Sequence, residues 1–128
     1  MTTDATHPLE PFKRATTATL RAIAADEELE VSFAPGAPSS RDGKIRLPLP
    51  TLGCTDEELR AMRGIGDEFA LKQRHHDQRL HARISPQGGP AQEMFEWIES
   101  ARIASIGSMR MEGVARNLDA RLEEQCKQ

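Results

Sequence analysis

Apolar residues recur at steps of three and four from Pro11 to Ala25, where Phe12, Ala15, Thr16, Thr19, Leu20 and Ile23 share one helical face. Leu29-Glu30-Val31-Ser32-Phe33 and Lys44-Ile45-Arg46-Leu47-Pro48 alternate apolar with polar instead, the period of half-buried strands. Between them Pro35 to Gly43 is turn chemistry ending in Asp42-Gly43, so the two strands are expected to pair as an antiparallel hairpin with a long tip. Pro48 and Pro50 stop the ladder and suggest an edge strand. Thr55 followed by Glu58 forms a capping box, and Leu59, Met62, Gly66, Phe69, Gln73, His76 and Leu80 then continue a helical stripe. Gly64 and Gly66 cost roughly 1 kcal/mol each in a helix interior, which is offset if they let another backbone approach closely.

Ser85 to Pro90 breaks the chain, with Pro90 placed to open the next helix. Met94, Trp97, Ile98, Ala101 and Ser105 share one face of that helix, and Gly107 interrupts it or permits a tight crossing. A last amphipathic segment carries Met111, Val114, Leu118 and Leu122. A lone hairpin is marginal in water, so its apolar face, Leu29, Val31, Phe33, Ile45 and Leu47, needs a helical layer. The expected fold class is α+β and mainly helical: an N-terminal helix, a two-stranded antiparallel hairpin, then three or so packed helices.

Composition narrows this. The 128 residues suffice for one small domain, and with four Phe, one Trp and no Tyr its core must be filled by Leu, Ile, Met and Ala. A formal charge of −3 with both signs interleaved leaves no electrostatic footprint for nucleic acid. No stretch has the length and apolarity of a membrane span. Cys54 and Cys126, two distant thiols, read as reduced residues of a cytoplasmic protein.

Candidate chemistry concentrates at His75, His76, Asp77 and His81. Zinc proteases place two His at i and i+4 with a Glu between them, whereas His76 and His81 are five apart on a presumed continuous helix and diverge. Asp77 and His81 share a face, so a divalent-metal site using His76, Asp77 and His81 stands beside the reading of core or capping histidines. His76-Asp77 as part of a phosphohydrolase needs further ligands, for which only His7 and Asp119 are at hand. Cys54 has no activating context, and no phosphate-cradling Gly-rich loop ends in Lys-Ser or Lys-Thr. Arg63, Arg74, Arg79 and Arg83 either dock an acidic partner or pair with Asp67, Glu68 and Asp77 on a solvated face. Met94, Met109 and Met111 read as flexible core filler or a partner groove, and the small residues from Ser105 to Val114 as close helix packing or a binding loop.

One resemblance covers nearly the whole chain. Lys44-Ile45-Arg46-Leu47-Pro48, Arg63-Gly64-Ile65-Gly66-Asp67, the His76-Asp77 and His81 cluster and Pro86-Gln87-Gly88 begin the series, which continues through Ala101-Arg102, Ser105-Ile106-Gly107, Met111, Gly113-Val114-Ala115 and Asn117-Leu118. In order and spacing they resemble the N-terminal region of the CobT-type subunit of aerobic cobaltochelatase. The resemblance implies a non-catalytic assembly domain over residues 9–125, preceded by a disordered stretch, 1–8. It implies a complex that inserts Co²⁺ into hydrogenobyrinic acid a,c-diamide on the route to cobalamin, using ATP and Mg²⁺. The implied partners are a CobS-type AAA+ ATPase and a CobN-type catalytic subunit, with no nucleic acid or membrane. The family's von Willebrand A-like domain, with its Mg²⁺-binding Asp-x-Ser-x-Ser motif, has no counterpart in this sequence. No catalytic, cofactor-binding or metal-binding residue is therefore expected here. A metal-binding domain and a stand-alone helical regulator are the competing classes.

Overall fold

A computed structural model describes residues 9–51 and 53–127, so the expectations for His7 and for residues 1–8 lie outside the described residues. The elements run α1 (Leu9–Ala24), β1 (Glu30–Phe33), β2 (Ser39–Arg41), β3 (Lys44–Leu47), α2 (Asp56–His75), α3 (Gln78–Ile84), α4 (Gly89–Arg110) and α5 (Glu112–Cys126). The mainly helical α+β class is as the sequence predicts.

The strand pairing is not. β1 runs parallel to β3, with Val31 opposite Ile45 and Phe33 opposite Leu47. The antiparallel hairpin joins β2 to β3 instead, and the sheet order is β1-β3-β2. Asp42 and Gly43 both adopt positive φ, 49° and 74°, the geometry that lets a two-residue turn follow the strand twist. That tight turn recruits Ser39–Arg41 as the antiparallel partner and leaves the other edge of β3 to β1. β3 is thus central rather than an edge strand, and Pro48 follows its last ladder residue without removing a donor. Arg46 donates to the Ala37 carbonyl at 2.9 Å and holds the crossover loop in place.

The predicted helical layer covers this sheet. Leu29, Ile45 and Leu47 are fully buried with Leu20 and Ile23 of α1 and Ala70 and Leu71 of α2, and Phe12 meets Phe33 edge-on at 6.3 Å. α2 is the central helix, packed by α1, α4, α5 and β3. Its start follows the capping box, the Thr55 hydroxyl accepting from the Glu58 amide at 3.1 Å. Its glycines mark close approaches. A Cβ on Gly64 would stand 2.3 Å from the Asn117 carbonyl oxygen of α5, and one on Gly66 would stand 2.9 Å from Leu20. Within the Ser105–Val114 stretch the close approach is at Gly107, where a Cβ would meet Leu71 at 2.4 Å, whereas Gly113 has nothing within 4 Å.

Two sequence expectations fail in the second half. The helix through His76 to Leu80 is broken: α2 ends at His75, and Asp77 caps a separate α3. On α4 the Met94-Trp97-Ile98-Ala101-Ser105 face is exposed, while Ile103 and Gly107 are buried and Phe95 and Ile106 half-buried. Met94 and Met109 are therefore not core filler; Met109 is 88% exposed, and only Met111 packs against the core.

Candidate functional site

The break between α2 and α3 builds the site. His76 leaves helical geometry at φ −95°, ψ 124°, with its amide still bonded to the Lys72 carbonyl at 2.9 Å. One residue later the Asp77 carboxylate accepts from the Leu80 amide at 3.0 Å, starting α3 in a new direction. The turn carries the His76 side chain inward, where it is 8% exposed, and places its Nδ1 3.0 Å from Glu99 Oε1 on α4. Glu99 in turn accepts from Arg102 Nε at 2.8 Å and Nη2 at 2.6 Å, and Arg102 Nη2 also donates to the His75 carbonyl at 3.1 Å. A carboxylate and a guanidinium thus tie the C-terminal end of α2 to the middle of α4.

The electrostatics follow from these contacts. The Arg102 hydrogen bonds hold the Glu99 carboxyl down at about 2, helped by His76 and opposed by partial burial. Desolvation, then the cations of Arg74, Arg110 and Arg102, lowers the pKa of His75 and favours its neutral form. The His81 ring makes tilted contacts with His76, at 4.8 Å, and Phe95, at 5.1 Å. These contacts hold α3 beside α4.

Between α3, the Ser85–Gly88 turn and α4 lies a cleft of about 650 Å³, floored by His76, His81 and Ile103 with Trp97 at its rim. Its remaining lining is mainly amide, hydroxyl and carboxylate groups, including Gln78, Gln92 and Glu96.

Of the predicted metal trio the fold brings together His76 and His81, but Asp77 spends its carboxylate on the α3 cap. Among the described residues no group of three or more His, Cys, Asp or Glu side chains converges to hold a metal ion. Asp119 lies exposed on α5, away from this cluster in sequence and element. Cys54 and Cys126 are free thiols.

The arginine series divides. Arg74 reaches the Ile23 carbonyl at 3.5 Å, whereas Arg79 and Arg83 stand exposed on α3. The alternative, a solvated pairing with Asp67 and Glu68, is not what forms. Asp67 is 2% exposed and accepts from Asn117 Nδ2 at 2.8 Å, and Glu68 accepts from Arg121 Nε at 2.6 Å, both across the α2–α5 contact. Burial pushes the Asp67 carboxyl up to about 6, with the Asn117 hydrogen bond and the Arg63 charge opposing it. Asp67 is not legible in sequence, because the periodicity marks the stripe through Met62 and Phe69 as the buried face. The small residues Gly64, Gly66 and Ala70 beside Asp67 were the available sign of a crowded interface.

The exposed Met94, Trp97 (71% exposed) and Ile98 of α4 were visible in sequence as a stripe but not as a surface, and Leu80 and Ile84 stand exposed on α3. No helix among the described residues is long and apolar enough to cross a membrane. No solved structure matches the chain. The family model described as cobalamin biosynthesis protein CobT matches residues 6–128, which includes the whole described fold. The chain therefore belongs to the family of the cobalamin biosynthesis protein CobT and has its role in cobalamin biosynthesis.

Proposed function

We propose that this chain is a non-catalytic assembly domain of a cobaltochelatase, the ATP-driven complex that inserts Co²⁺ into hydrogenobyrinic acid a,c-diamide. The supporting observation is the second apolar face of α4. Met94, Ile98 and Ala101 follow the 4-3 spacing of a helix-docking seam, with Trp97 alongside, on the side opposite the buried Ile103 and Gly107. From Met94 to Ala101 this face extends about 10 Å along the 22-residue α4, enough to seat two turns of a partner helix. A helix that is apolar on both sides belongs between two layers, and the described residues supply one of them.

In this reading the partners are a CobS-type AAA+ ATPase and a CobN-type catalytic subunit. ATP and Mg²⁺ serve the ATPase, and Co²⁺ is the metal that the complex inserts. The Gly88-Gly89 turn is no substitute for a phosphate loop, since the Gly88 amide is already bonded to Gln92 Oε1 at 2.8 Å.

Immobilised chain should capture at least one of the two purified subunits. Ile98→Glu should reduce that capture at least about tenfold while the far-ultraviolet circular dichroism is unchanged, because surface substitutions usually alter stability by under about 0.5 kcal/mol. Capture of neither subunit by the wild-type chain overturns the assembly role.

A further inference from the structure

α3 is a helix with no core of its own. None of its seven residues is buried, and a helix so short is unstable in isolation. It persists because Asp77 caps it and His81 is clamped between His76 and Phe95. Gln78, His81, Ala82 and Ser85 face the cleft toward α4. The opposite side is left with two short parallel stripes. Leu80 and Ile84, one turn apart, are 48% and 57% exposed. Arg79 and Arg83, also one turn apart, are exposed and make no ion pair or side-chain hydrogen bond among the described residues. No acidic residue lies on α3 itself, Asp77 beside it is committed to the cap, and Glu99 is committed to Arg102.

We infer that the outer face of α3 docks an acidic amphipathic segment of a partner protein. Its apolar side chains would lie on Leu80 and Ile84, and its carboxylates would take forked hydrogen bonds from Arg79 and Arg83. Charge complementarity selects this occupant: free guanidiniums beside an apolar pair match carboxylates flanking apolar side chains, whereas a basic segment would place like charges together. The contact deepens the assembly role proposed above and rests on it, adding the chemistry of the partner. Seven helical residues make a small interface, so the expected affinity is weak and sensitive to salt.

The test uses the full 128-residue chain and two labelled helical peptides, one carrying Leu at i and i+4 flanked by Glu, the other identical but flanked by Lys. Fluorescence anisotropy should show the Glu peptide binding at least about tenfold more tightly than the Lys peptide at about 50 mM salt, with the difference shrinking at about 300 mM. The double variant Arg79→Glu with Arg83→Glu should reverse the preference while circular dichroism stays unchanged. Equal binding of the two peptides, or a preference untouched by the reversal, overturns the inference. So does self-association of the chain in sedimentation that Ile84→Glu abolishes, which would assign the face to a second copy. If the purified subunits capture the charge-reversed variant as well as wild type, the α3 contact falls while the assembly role stands. If they capture neither protein, the assembly role falls.

Discussion

Asp67 makes the stability of this domain depend on pH in a direction opposite to that of most carboxylates. It sits at the α2–α5 crossing, 2% exposed, with Asn117 Nδ2 at 2.8 Å. Burial raises its pKa from the ordinary 3.8 to about 6, so between those values the folded chain binds a proton that the unfolded chain has released. A group whose folded pKa is raised contributes stability that is complete below about 3.8 and is lost as pH rises through about 6. At about 1.4 kcal/mol per tenfold in proton affinity, the gap amounts to about 3 kcal/mol between acid and pH 8. Asp67→Asn removes the titration and retains a neutral amide able to pair with Asn117. Relative to fully protonated conditions, the variant should therefore gain on wild type by about 1 kcal/mol at pH 4.5 and about 3 kcal/mol at pH 8. Urea unfolding followed at 222 nm measures this, and the wild-type-minus-variant difference cancels carboxylates common to both. Trp97 fluorescence would be a poor reporter, being 71% exposed. A difference between the two proteins that is constant from pH 4.5 to 8 would show that desolvation of the carboxylate does not govern this site.

The glycines give a graded comparison. Gly64→Ala should destabilise by about 1–3 kcal/mol because the obstructing atom is the Asn117 backbone oxygen, whereas Gly113→Ala, with nothing within 4 Å, should be neutral or stabilising in the same denaturation assay. Asp77→Ala deletes the α3 cap and should cost about 1 kcal/mol, with hydrogen exchange accelerating at Leu80 and its neighbours before the core opens. Glu99 has the opposite sign to Asp67: its depressed carboxyl stabilises above the ordinary 4.5, and that contribution is lost as pH falls through about 2. The stability difference between wild type and Glu99→Gln should accordingly narrow between pH 4.5 and 2 in thermal unfolding scans.

Local chemistry was legible along the chain. Thr55 with Glu58 located the start of α2, Pro90 the start of α4, and Asp42-Gly43 a tight turn, because caps and turns are settled by neighbours in sequence. The close approaches at Gly64 and Gly107 were readable for a similar reason: a helix tolerates glycine there only if something needs the space. In the candidate site the histidine cluster was legible as a cluster, but its partner Glu99, more than twenty residues away, was not.

Three matters lay beyond the sequence. Alternation in Val31-Ser32-Phe33 and Ile45-Arg46-Leu47 defines a buried side for each strand but says nothing of relative direction, which the β2–β3 turn decided by occupying the antiparallel edge. Periodicity on α4 identifies residues that share a face without saying which face finds a neighbour, and Leu71 of α2 selected the side carrying Gly107 over the side carrying Trp97. The charge of Asp67 looks solvated in any linear reading, and only the arrival of α5 with Asn117 puts it out of reach of water. Sequence alone determines what neighbouring residues can do together; the tertiary structure determines which surfaces remain exposed, because burial depends on contacts between segments far apart in the chain.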